Sequence, residues 1–100
     1  MILQTRAGEL FAGDKKVLKG WESFSGWYWF GVEVAEERKI SEGSGSVLQD
    51  GSVMDDRIWF GFIQGFEEEW GYFSEAELLS MRGRVWPIKP QDLPHAGRRS

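Results

Sequence analysis

The sequence predicts an α+β fold, a small antiparallel, curled β-sheet with one short C-terminal helix packed on a face. Three observations predict it. Residues 27–35 and 57–66 are dense in aromatic and β-branched side chains, the composition of strands. Gly8, Gly13-Asp14 and Asp50-Gly51 punctuate the chain with turn signals. A single well-capped helix begins after Phe73. A partly open small β-barrel with an appended helix fits the same pattern and is the alternative.

A chain of 100 residues is the size of one domain, able to bury roughly 60–70% of its unfolded surface without metal or disulfide staples. Residues 1–90 are expected to form it, with 41–54 a flexible linker and hairpin arm and 91–100 a frayed tail. Hydrophobic content of 41% beside 28% charged residues argues against global disorder. The N-terminal residues lack a basic start and apolar stretch, and no apolar run approaches the ~20 residues of a membrane helix. The expectation is a soluble cytoplasmic protein with no membrane association. The absence of Cys fits a reducing compartment and also many secreted proteins, and it excludes thiol catalysis and disulfides.

Taken in order, a short strand fits residues 9–12, a turn follows at Gly13-Asp14, and residues 16–21 form another strand. In residues 27–35, alternation places Tyr28, Phe30, Val32 and Val34 on one face and Trp27, Trp29, Gly31 and Glu33 on the other. Residues 36–39 read as a solvated charge run, and 41–46 have linker composition. Asp50-Gly51 between short apolar stretches signals a two-residue type I′ hairpin. In residues 57–66, Ile58, Phe60 and Phe62 share one face; Trp59, Gly61, Ile63 and Gly65 share the other. Antiparallel pairing of the two long strands would join Trp rings and glycines on one face. Either bulky neighbours cover those glycines or another group approaches there.

Ser74-Glu75-Ala76-Glu77 is a capping box, with Phe73 and Leu78 placed as a hydrophobic staple. The helix is expected over residues 75–82, stopped by Gly83, with Leu78 and Leu79 docked on the sheet. Val85-Trp86 adds a last short strand before Pro87.

Reactive chemistry finds little support. His95 is the only histidine and lies in the expected tail, without the packing a catalytic imidazole needs. Zinc would require Cys or several His. Asp55-Asp56 and Glu67-Glu68-Glu69 could in principle meet around a hard cation, but neither has the spacing of a calcium loop. Gly43-Ser44-Gly45 lacks the Lys-Ser/Thr of a phosphate loop. No catalytic residue, metal ligand or cofactor site is assigned, and the reading is non-enzymatic.

The stretch from Phe60 to Leu78 reads F-G-x-x-x-G-x-E-x-E-x-G-Y-F-S-x-x-E-L. It is carried by Phe60, Gly61, Gly65, Glu67, Glu69, Gly71, Tyr72, Phe73, Ser74, Glu77 and Leu78. It resembles the signature of an uncharacterised family of small proteins from bacterial plasmids, phages and related mobile elements. Trp27-Tyr28-Trp29 followed by Glu33 is similar to that family's Trp/Tyr-rich strand. The connection over residues 36–53 is longer than the family's equivalent turn. The resemblance implies an accessory role in a mobile element and no catalytic residues.

The functional expectation is a protein-interaction or regulatory module, binding an unidentified protein or itself. Trp27, Trp29, Trp59, Glu67 and Glu69 form the expected contact surface, because the Phe-bearing face suffices as core for the helix. Single-stranded nucleic-acid binding by stacking on those Trp rings is the alternative. A net charge of -4 disfavours it, since nucleic-acid affinity rests on neutralising phosphates.

Overall fold

Residues 2–97 are described by a computed structural model, which resolves into small antiparallel sheets and one short helix. In chain order the elements are β1 (Leu3–Arg6), β2 (Glu9–Ala12), β3 (Lys15–Lys16), β4 (Lys19–Ser23), β5 (Tyr28–Arg38), β6 (Ser46–Val47), β7 (Val53–Met54), β8 (Asp56–Gln64), β9 (Glu68–Ser74), α1 (Glu75–Ser80) and β10 (Val85–Pro87). The first three strands form one sheet, β6 and β7 a two-stranded ribbon, and the rest a five-stranded sheet ordered β10-β4-β5-β8-β9. Every pairing is antiparallel. The α+β class read from the sequence is therefore the one observed.

The N-terminal sheet begins earlier than the turn signals suggest. Arg6 and Glu9 close a two-residue turn whose central residues, Ala7 and Gly8, lie at φ 51° and 79°. Positive φ at both positions is the type I′ geometry that matches strand twist. The strand before it is inconspicuous in sequence because only Leu3 of its four residues is buried.

The two long strands pair antiparallel as expected, from Tyr28 opposite Gln64 to Arg38 opposite Asp56. The charge run at residues 36–38 is thus part of β5, not a solvated connection. Register shifts between Gly31 and Glu33 and between Val34 and Glu36 break the simple alternation. Each inserts an extra residue and swaps the faces beyond it. Val34, assigned by alternation to the Phe30 face, instead stands opposite Trp59 and is exposed.

Both faces of the five-stranded sheet are covered. On the Phe face, Phe30, Val32 and Phe62 pack with Leu3, Leu10, Ala12 and Val17 of the N-terminal segment. On the Trp face, Trp21, Trp59 and Phe73 pack with Leu78 of α1 and Val85 of β10. The expectation that the helix covers the Phe face is corrected: the N-terminal sheet already occupies that side. The helix ends at Ser80, not 82, and Leu79 is exposed while Leu78 is buried. Ser74 caps it as read, its hydroxyl accepting from the Glu77 amide.

Two segments expected to be loose are anchored. In residues 41–54, Ser46 and Leu48 are buried, and the Ile40 amide donates to Asp55. The hairpin is not type I′. Gly51 N–H donates to the Leu48 carbonyl and Leu48 N–H to Ser52, with Gly51 but not Asp50 at positive φ. That is a turn followed by a G1 bulge, with Asp50 accepting from the Ser52 amide and hydroxyl. In the expected tail, Leu93–His95 form a 3-10 turn. Leu93 and Ala96 pack on the Phe-face core, and Gly97 is buried against the Phe30 ring. Arg98 and Arg99 lie outside the described residues.

Candidate functional site

Of the five residues expected to form a contact surface, Trp59 does not belong to one. It is 3% exposed, with its ring edge-on to Trp21 at 5.6 Å and laid over Gly31. Its indole N–H donates to Glu75 at 2.8 Å. A Cβ at Gly31 would fall 2.4 Å from that ring. The Trp and Gly alternation on this face is a packing device, in which small residues admit bulky rings. Sequence left both readings open, because whether α1 or solvent covers the face depends on tertiary placement.

Trp27 and Trp29 are half-buried neighbours with rings 5.9 Å apart. Trp27 lies over Gly65, and Phe66 meets it edge-on at 5.3 Å. Phe66 is 95% exposed at the tip of the β8–β9 connection. Ile63 stands opposite both Trp29 and Glu69, so these side chains share the Trp face at this end of the sheet. Glu67 and Glu69 are both exposed. The structure therefore groups Trp27, Trp29 and Glu69 beside Phe66, with Glu67 in the adjoining turn, and leaves Trp59 in the core.

A second exposed aromatic surface lies on the opposite, Phe face and was not read from the sequence. Phe60 pairs with Tyr72 and Phe62 with Trp70 across β8 and β9. Their rings form a ladder: Tyr72 to Phe60 at 5.1 Å, Phe60 to Trp70 at 5.7 Å, Trp70 to Phe62 at 5.5 Å. Phe62 is buried in the Phe-face core, whereas Trp70 is 38% and Tyr72 68% exposed. The available signal was the period-two placement of Trp70 and Tyr72 beyond the acidic run, on a strand with a paired neighbour on one side only.

The two edges of the sheet differ. β10 is three residues long and ends on Pro87, features that discourage further pairing. β9 is seven residues long, contains no proline, and no strand pairs with its outer side among the described residues. The β9 edge with the exposed rings of Trp70 and Tyr72 on its Phe face is the candidate surface, and Phe66 adjoins it at the β8–β9 connection, packed with Trp27 on the other face.

The carboxylates do not assemble a reactive site. Asp55-Asp56 and residues 67–69 flank opposite ends of β8, roughly 25–30 Å apart at strand rise. Asp56 is buried and accepts from the Ser46 hydroxyl, the Ser74 hydroxyl and the Ala76 amide. Glu75 accepts from Trp59 and pairs with Lys19 and Arg57 at 3.3 and 3.4 Å. Both carboxylates hold segments together. Among the described residues no group of three or more His, Asp or Glu could hold a metal ion. His95 is exposed beside Pro94. Among the described residues no helix is long and apolar enough to cross a membrane.

A groove of about 690 Å³ separates the arm from the end of α1 and is lined by Leu48, Asp50, Glu77, Met81, Arg82 and Arg84, among others. Hydrogen bonds from the Ser52 hydroxyl and amide hold the Asp50 carboxyl below the usual carboxylate range. Two acids and two arginines on the walls balance, so the groove favours neither sign of ligand. Against known protein families, curated proteins and solved structures, the chain has no match.

Proposed function

We propose that this chain is a non-enzymatic protein-interaction module, and that its contact surface is the β8–β9 end of the five-stranded sheet. The observation that carries the reading is the exposure of Phe66 at 95% and Tyr72 at 68% beside an unpaired strand edge. Exposed aromatic clusters on small domains mark partner sites, and aromatic anchors dominate interface energetics. Trp27, Trp29, Glu67 and Glu69 flank this surface. The resemblance to mobile-element proteins supports an accessory role.

Single-stranded nucleic acid is the second reading, favoured by the exposed rings of Trp70 and Tyr72. Exposed Glu67, Glu68 and Glu69 beside them count against a phosphate backbone.

The test compares the full chain with a Phe66→Ala/Tyr72→Ala variant. Both side chains are exposed, so the variant should melt within a few degrees of the parent. A protein partner captured by the parent and lost by the variant is the expected result. Tight, salt-sensitive binding of oligo-dT that the same variant abolishes would replace the protein reading with the nucleic-acid one. A partner retained equally by both proteins would move the contact surface elsewhere.

A further inference from the structure

We propose that the outer edge of β9 takes up an extended, basic peptide segment of a partner protein as a sixth strand of the five-stranded sheet. This rests on the interaction-module reading and names the chemistry of the partner. Strand addition joins main-chain hydrogen bonds to side-chain pockets that alternate along the edge. On β9, Glu68, Trp70 and Tyr72 face one side and Glu69, Gly71 and Phe73 the other. An added strand would therefore meet carboxylates on both faces at one end and exposed rings on one face beyond.

Charge identifies the occupant. From Gly65 to Ser74 the chain carries Glu67, Glu68 and Glu69 and no basic residue. Glu33, exposed, stands across from Phe60 and adds a carboxylate to Glu68 on the face of the ring ladder. The nearest arginine along β8, Arg57, sits at the far end of the hairpin and is paired with Glu75. Lysines and arginines of a partner would meet the acidic end, and others could lie over the faces of Trp70 and Tyr72. A net charge of -4 on each chain works against a second copy as the occupant.

The experiment selects short peptides from a displayed random library on the full chain and measures the winners by fluorescence anisotropy. The expected winners carry Lys or Arg near one end and apolar residues at alternate positions beyond. Glu68→Lys/Glu69→Lys should weaken them by about tenfold or more, whereas Glu36→Lys/Glu37→Lys, on another strand, should leave them nearly unchanged. Methylating alternate backbone amides of a winning peptide should abolish binding for one alternating set and spare the other, the signature of strand pairing. That arm leaves the protein unaltered, so misfolding cannot account for it. Winners lacking Lys and Arg that still require Phe66 and Tyr72 would overturn the basic partner while sparing the interaction-module reading. Basic winners indifferent to the charge reversal would overturn the β9 assignment. A dimer in sedimentation that Tyr72→Ala breaks would replace the peptide with a second copy. No winners, together with no partner lost by the Phe66→Ala/Tyr72→Ala variant, would overturn both readings.

Discussion

The Asp56 carboxylate accepts from Ser46 in the arm, from Ser74 at the helix entry, and from the Ala76 amide inside the first helical turn. In sequence it is the second member of an acidic pair and reads as solvated. Its importance comes from burial at 6% exposure, where every donor left without it loses a partner that water supplies poorly. Asp56→Ala should therefore cost about 3 kcal/mol or more, as three donors lose their acceptor together. Ser74→Ala removes one capping bond and one bond to Asp56 and should cost about 1–2 kcal/mol. Denaturant midpoints at unchanged slope would check the order. Equal shifts for the two variants would mean that the carboxylate is no hub.

Among the elements, the C-terminal 3-10 turn departs furthest from its sequence signals. Prolines, a glycine and polar residues dominate 90–97, and Leu93 is the only large apolar side chain there. Yet Leu93 packs on the Phe-face core, Thr5 donates to the Pro94 carbonyl, and Gly97 seals the fully buried Phe30. A chain ending at Pro90 uncovers that ring. It should lose about 2 kcal/mol and melt roughly 10 °C lower. Leu93→Ala in the full chain should show part of that loss. A truncated chain that melts with the parent would mark the segment as an unneeded appendage.

At the scale of the molecule, one sheet serves two cores. β5 and β8 give Phe30 and Phe62 to one side and Trp29, Trp59 and Ile63 to the other. Strands shared in this way should couple the cores into one cooperative unit. Leu10→Ala, on the Phe side, should cost about 2–5 kcal/mol. Its midpoint should fall equally by far-UV circular dichroism and by tryptophan fluorescence, although Trp21 and Trp59 lie on the opposite side. A fluorescence midpoint that stays while the dichroism midpoint falls would show two independent units.

Local chemistry determined the α+β class, the pairing of the two long strands, the faces of β8 and the Ser74 cap, because periodicity, turn residues and capping act over a few neighbours. It placed Trp59 on the contact surface, where the structure buries it, and it put Val34 on the wrong face. The bulges of β5 arise from pairing, and no local signal marks them. Burial of a sheet face depends on which distant segment arrives: residues 2–17 on the Phe side, α1 and β10 on the Trp side. The same competition left Trp70 and Tyr72 exposed at an edge with which no other described strand pairs. Residue pattern specified which side chains share a face, and only the tertiary structure decided which faces meet water.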